Sequence, residues 1–280
     1  MTMEICWQGT VNAWECDEMG HMNVRFYGAK IEEALTGLLA DQSAPIAPVA
    51  AHHIRYLREC RAGTPLRILG GALTRGRAPR LYFEVQDSSS LQPRASFVTR
   101  LHDAADLPPG PCIDMPAHGA PRGLPDTSPR ANPSLADADQ AGLVEITRTI
   151  IQPHQIDATG AVRPHQVIGM ISDGVASLMR RINPERGQHD SNLGGAALEQ
   201  RVFIRAQARA GDPVTVRSGI VEAGEKTMRI VHWLLNRRTG EAFATSEVIA
   251  VTFDLTARRA VPLPEEARDR IAAMAVRAEA

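Results

Sequence analysis

The stretch VNAWECDEMGHMNVRFYGAKIEEAL, residues 11–35, changes character halfway along. Up to Gly20 it is polar and acidic. From Val24 onward apolar side chains recur at Tyr27, Ile31, Ala34, Leu35 and Leu38, a spacing that buries one face of a helix. Asn23 stands at the boundary, where a short oxygen-bearing side chain suits the cap of the helix N-terminus. The loop therefore delivers Asp17, Gly20 and His21 to the start of a helix. First-turn N–H groups have no intrahelical partner and carry the positive end of the helix dipole, so they can hold a carbonyl oxygen as it becomes an oxyanion. Gly20 lets backbone approach a ligand closely. Asp17 can then act on the carbonyl carbon as nucleophile, or on water as general base.

Outward from this loop, an alternating strand with Ile5, Trp7, Gly9 and Val11 precedes it. Strand-like runs follow the helix at Ala51–Cys60, Pro65–Arg75, Arg80–Ser88 and Arg94–Asp103. The second half reads in the same order. Its first strand runs through Val144, Ile146, Arg148 and Ile150, and its helix carries Val167, Ile171, Val175, Leu178 and Ile182. Strands are expected at Ala197–Ala210, Pro213–Glu222, Thr227–Asn236 and Ala242–Leu255, and a last helix over Glu265–Ala280 packs outside or frays. An offset of 140 sets Asp17 on Asp157, Gly20 on Gly160 and Glu33 on Asp173. Beyond an eight-residue insertion near Asn183–Gly195 the offset is 148, and RAGTP (61–65) falls on RAGDP (209–213). Such self-similarity marks a duplicated unit. One helix followed by adjacent strands predicts an α+β fold, an antiparallel sheet wrapped on a central helix, twice over.

The Pro- and Gly-rich stretch from Pro108 to Ala141 reads as an extended connection, because proline fixes φ and removes a donor. The expected division is a first unit over residues 1–110, a linker over 111–141 and a second unit over 142–280.

Residues 11–35 resemble the loop and helix of hot-dog-fold thioesterases of the 4-hydroxybenzoyl-CoA and acyl-CoA thioesterase type. Asp17, Gly20, His21, Asn23 and Tyr27 stand where the D-x-x-G-H-x-N-x-x-x-Y-like motif of that family wants them. QIDATGAVRPHQVIGMISDGVASLM, residues 155–179, looks like a second, diverged copy, so the whole chain is similar to a double hot-dog protein, as acyl-ACP thioesterases are. The resemblance implies a pseudo-dimer with sites at its seam, hydrolysis of an acyl-CoA (or acyl-ACP) substrate, and no cofactor. It implies a catalytic set drawn from Asp17, His21, Asn23 and Asp157, with Gly20, Val24, Tyr27, Glu32 and Gly160 along the substrate. The other readings within the same resemblance are a hot-dog hydratase or dehydratase, and a non-catalytic acyl-CoA binder.

Each residue also has a plainer reading. Asp17 can accept backbone N–H bonds in a tight loop, His21 can be satisfied by a neighbouring carbonyl, and Asn23 can serve as a cap alone. The second copy has Ala161 and Arg163 in place of His21 and Asn23, which departs from the family pattern and weights Asp17 over Asp157. Glu33 and Asp173 lie opposite the apolar face of their helices and read as solvated or intersubunit. His52 and His53 are adjacent on a strand, point to opposite faces and cannot form a ligand pair by themselves. Arg55, Arg58, Arg61, Arg75, Arg77 and Arg80 can meet phosphates of a coenzyme A tail, or be solvated.

Composition narrows the classes. At 280 residues, 44% apolar and 22% charged, the chain can bury a proper core. A net charge of −1 without a basic block argues against nucleic acid. Of 31 basic residues only Lys30 and Lys226 are lysines. No apolar run is long enough for a membrane span, and Glu4 sits where an export signal would be positive, so no membrane partner is expected and the expected location is cytoplasmic. Cys6, Cys16, Cys60 and Cys112 form no C-x-x-C pair, so neither a disulfide framework nor a structural metal is expected. A homodimer or a higher assembly of pseudo-dimers is a further expectation.

Overall fold

The computed structural model describes residues 3–45, 47–102, 106–124, 133–182, 184, 193–254, 256–257 and 259–278. The chain divides into two compact units, Met1–Arg122 and Gly123–Ala280. Both are α+β, and together they make two hot-dog units in tandem.

In the first unit the order is β1 (Glu4–Thr10), α1 (Val24–Asp41), β2 (Val49–Tyr56), β3 (Pro65–Thr74), the short β4 (Gly76–Arg77), β5 (Arg80–Asp87), β6 (Pro93–Leu101) and the short β7 (Asp106–Leu107). The long strands form an antiparallel run β1-β3-β5-β6-β2, while β4 pairs with β7 apart from it. Alternation sorts the side chains, since Ile68 lies opposite Val85 and Phe83 opposite Phe97, all fully buried. The stripe Tyr27, Ile31, Ala34, Leu35 and Leu38 of α1 is buried, and the helix packs on β1 and β3.

The second unit runs α2 (Leu135–Ala141), β8 (Val144–Ile150), α3 (Pro164–Ile182), β9 (Leu193–Ile204), β10 (Pro213–Ala223), β11 (Thr227–Asn236), β12 (Ala242–Asp254), β13 (Arg259–Ala260) and α4 (Glu265–Met274). Its antiparallel run is β9-β12-β11-β10-β8, with β13 on β12. Leu178, Met179 and Ile182 of α3 pack on Ile220, Met228 and Ile230 of the sheet. Gly174 lets α3 approach β8, for a Cβ there would fall inside contact distance of Thr147 and the Ile146 carbonyl. Buried polar residues share this helix-facing side: Ser218 and Ser246 flank His232 in register, and the Ser218 hydroxyl lies 2.7 Å from His232 Nδ1.

Three sequence expectations need correction. The strands expected to reach Cys60 and Ala210 stop at Tyr56 and Ile204. In each case the chain leaves the sheet so that a carbonyl, that of Cys60 or Ala208, can accept an N–H from the aspartate loop of its own unit. The last helix does not pack outside: Ala267 and Ile271 of α4 are buried in the same cluster as α3, and the helix ends at Met274.

The third correction concerns the stretch expected as an extended connection, of which residues 111–120 pack on a sheet and 135–141 form a helix. Residues 111–120 cover the outer face of the first sheet, with Ile113 against Gly71, Gly119 against Tyr82, and the Ala120 carbonyl accepting from Arg55 at 2.9 Å. At the far end α2 is a helix with Ser134 as its cap and Gly142 closing it at φ 78°. It packs, with Val276 and Ala278, on Val231, Trp233 and Leu235 of the second sheet. The middle of the stretch and most of the insertion at 183–195 lie outside the described residues.

Candidate active site

The Asp17 loop is a closed backbone turn. Cys16 bridges Met22, the Asp17 N–H donates to the His21 carbonyl at 2.8 Å, and the Gly20 N–H donates to the Asp17 carbonyl at 2.9 Å. Gly20 sits at φ 73°, in the left-handed region that a side chain disfavours. The Asp17 carboxylate holds the turn with one oxygen: Oδ1 accepts the N–H groups of Met19 at 2.9 Å and His21 at 3.1 Å. Among the described residues no hydrogen bond engages Oδ2. The bonds that hold the loop thus use one oxygen of the carboxylate.

Asn23 caps α1, its side chain accepting from Arg25 N–H at 3.0 Å while its carbonyl takes the Phe26 N–H. These bonds remove two of the helix's unpaired donors. Among the described residues the Val24 N–H, the first of the helix, donates to no protein acceptor and is the donor left at the positive end of α1. Asn23 N–H in turn donates to the Glu15 carbonyl at 2.9 Å. Glu15 and Lys30 form a buried ion pair at 2.7 Å, their side chains only 9% and 6% exposed. The Lys30 ammonium also lies 5.0 Å from the Trp7 ring centroid. The loop is therefore anchored to the second turn of its own helix.

His21 faces the segment that leaves β2. Its Nε2 lies 3.3 Å from Glu59 Oε2 and 3.1 Å from an Arg61 nitrogen, and the backbones of residues 21 and 61 form a bridge. Tyr27 is only 4% exposed, stacked edge-on to Tyr56 at 5.7 Å. Burial pushes its hydroxyl well above its usual range, and donation of that hydroxyl to the Cys60 sulfur adds to the rise. Glu32 is half-buried on α1, and its carbonyl accepts from Thr36. Glu33 is exposed and accepts from the Trp7 indole at 2.6 Å, while Asp173 is exposed on α3.

The second loop repeats the backbone bonds of the first turn, and the Thr159 hydroxyl adds one more to Asp157 Oδ1 at 2.7 Å. Asp157 Oδ1 accepts Thr159 N–H at 2.8 Å and Ala161 N–H at 3.1 Å, and Gly160 sits at φ 81°. What changes is the surrounding chemistry. Position 164, matching Val24, is Pro164, which has no N–H to offer an oxyanion. Gln155 and Gln166 stand in for the anchoring ion pair at 3.2 Å.

The remaining sequence candidates lie elsewhere. His52 and His53 are both buried on β2, and His52 Nδ1 lies 3.0 Å from the Thr99 hydroxyl. Arg55 and Arg75 are engaged by chain carbonyls, of Ala120 and of Pro108 and Pro111 respectively, rather than directed at a ligand. Among the described residues no group of three or more His, Cys, Asp and Glu side chains is placed to hold a metal ion, and no helix is long and apolar enough to cross a membrane. Glu15, Lys30 and Glu59 are the features that sequence reading missed or left without a role. Lys30 carried one signal, as one of two lysines among 31 basic residues.

The sequence profile of the thioesterase-like superfamily matches residues 11–102 and 151–271, so both loops and both sheets fall inside it. The chain belongs to the thioesterase-like superfamily. It is a thioester hydrolase. Among solved structures it is similar to an acyl-ACP thioesterase from Bacteroides thetaiotaomicron, with 12% identity and TM-score 0.60 over 87% of this chain and 96% of that one. It is also similar to a 12:0-ACP thioesterase from Umbellularia californica, with 10% identity and TM-score 0.58 over 88% and 93%. At those identities the likeness is one of fold. No curated protein sequence matches the chain.

Proposed function

We propose that this thioesterase hydrolyses an acyl-CoA to free acid and CoA, and that the Asp17 loop is where it does so. The observation that carries the reading is the Val24 N–H standing at the N-terminus of α1 beside a carboxylate whose loop-holding bonds use only one oxygen. A thioester carbonyl accepting from that N–H has its developing negative charge stabilised where the helix dipole is positive. Asp17 then attacks the carbonyl carbon or takes a proton from the attacking water, and both routes end in acid and thiol. Asn23 acts as the cap that orients the donor. Gly20 leaves the approach to Asp17 without a side chain, and Glu32 stands half-buried further along α1. The Tyr27 side chain supports the site from the core.

By the same reasoning the Asp157 loop, with Gly160, is a structural copy that lacks the donor matching Val24 N–H. Acyl-ACP is the second reading of the substrate, favoured by the whole-length likeness to structures that bear that activity in their names. Thiol release measured with a thiol-reactive dye over matched acyl-CoA and acyl-ACP series decides between them. Turnover on the CoA series at rates above the ACP series is expected. The reverse ranking selects the carrier protein, and no thiol from either series defeats the site assignment.

A further inference from the structure

We propose that Glu59 is a positioning residue for His21, holding the proton of the imidazole on Nε2 and the ring in one orientation at the Asp17 loop, with Arg61 competing for the same nitrogen. This rests on the reading that the chemistry takes place at that loop. The geometry poses the choice sharply, because a single ring nitrogen lies 3.3 Å from a carboxylate oxygen and 3.1 Å from a guanidinium nitrogen. A guanidinium only donates and a carboxylate only accepts. Arg61 therefore requires Nε2 to be the bare lone pair, with the proton on Nδ1, whereas Glu59 requires Nε2–H. The two partners specify opposite tautomers of the neutral ring, and only the Glu59 arrangement is also compatible with the protonated ring.

Two observations favour Glu59. The first is burial: the His21 and Glu59 side chains are 12% and 33% exposed, while Arg61 is exposed on the rim, so the carboxylate contact is less weakened by solvent. The second comes from the repeat. The hydrogen bond from Met22 N–H to the Cys60 carbonyl has its counterpart in that from Val162 N–H to the Ala208 carbonyl, which fixes the correspondence of the two segments. On it His21 matches Ala161, Glu59 matches Gln207, and Arg61 matches Arg209. The imidazole and the carboxylate are lost together in the copy that has Pro164 in place of Val24, whereas the arginine is kept. A carboxylate serving only the loop backbone would have no reason to vary with the histidine. With Glu59 on Nε2–H, the neutral ring has its basic lone pair on Nδ1, and the charged groups facing it include Glu59 and Arg61 from the segment after β2, with Asp17 on its own loop.

The full-length protein labelled with nitrogen-15 tests this through long-range proton–nitrogen spectra of the histidine rings, with His21 assigned from the His21→Gln variant. The expected result is an Nε2–H tautomer above the titration midpoint. Glu59→Gln should lower that midpoint by about half to one pH unit and Arg61→Gln should raise it by a similar amount. The acid limb of kcat/KM for thiol release should move in the same two directions, which a merely structural role would not produce. An Nδ1–H tautomer, or a midpoint unmoved by Glu59→Gln, overturns the proposal. So does a midpoint that moves while the acid limb stays fixed. Thiol release absent from the wild type instead overturns the assignment of hydrolysis to this loop and the positioning role with it, and is told apart because the tautomer and the midpoints are read without substrate.

Discussion

The loop at Asp17 and the loop at Asp157 have the same backbone and different surroundings. In both, an aspartate oxygen accepts two N–H groups, a glycine sits at positive φ (73° and 81°), and the far side is tied to the segment that follows a departing strand. That shared part shows what the turn needs in order to exist, and it includes the aspartate. What only the first loop has is what the proposed chemistry draws on: the Val24 N–H, the His21–Glu59 contact and the Glu15–Lys30 anchor. An aspartate in such a loop is therefore weak evidence for catalysis taken alone, and the donor at the helix start is stronger evidence.

The comparison is broken most severely by Asp17→Asn. The amide keeps an oxygen to accept the two backbone N–H groups, so the turn should survive, while hydrolysis should fall on the order of 10³-fold. Asp157→Asn should leave turnover within about twofold, since that loop keeps its bonds too. Equal losses in both variants would show two working sites and end the distinction.

Val24→Pro copies the second loop into the first with a single backbone atom removed from play. Proline is well tolerated at the first helical position, and Asn23 before it already has the extended angles (φ −62°, ψ 143°) that a following proline demands. The expected loss of kcat is about 10²-fold with an unchanged melting temperature, the size of one missing oxyanion donor. Retained activity would move the oxyanion contact elsewhere.

Lys30→Met imports Met170, its counterpart, and leaves Glu15 as an unpaired buried carboxylate. The cost to stability should be about 3 kcal/mol by chemical denaturation. Adding Glu15→Gln recreates the neutral second copy and should recover most of it, so the two substitutions should be strongly non-additive. A double variant no better than Lys30→Met would mean that the ammonium matters for its packing on Trp7 rather than for its charge.

Much of this architecture is legible in the sequence: the stripe from Tyr27 to Leu38 is the buried face of α1, and the strand over Thr227–Asn236 has the bounds that its flanking turn residues mark. The misses have particular causes. Residues 57–60 and 205–210 continue an apolar pattern past the point where the sheet releases them, and the hydrogen bonds that release them come from loops far away in sequence. The capping box of Ser134 and Asp137 and the closing Gly142 were in plain view, but the prolines before them outweighed a helix of seven residues. Glu59 could not be found by local pattern, since its partner is 38 residues away.

The two units also differ in where each hides a neutral histidine. His52 lies beside Thr99 and Phe97 in the first, and His232 lies among Ser218 and Ser246 in the second. Burial lowers them from an ordinary 6.5 to about 4 and about 3 respectively. Below pH 6.5 the unfolded chain takes up protons that the folded chain refuses, so stability is full above that pH and declines as pH falls toward 4 and 3. By pH 5 each histidine should cost about 2 kcal/mol. Denaturation midpoints between pH 7.5 and 5 check this. His52→Leu should flatten the acid slope of whichever transition belongs to the first unit, and His232→Leu that of the second. If either substitution flattens both slopes equally, the units unfold as one cooperative body, and the differences between their loops are held in place by a shared stability.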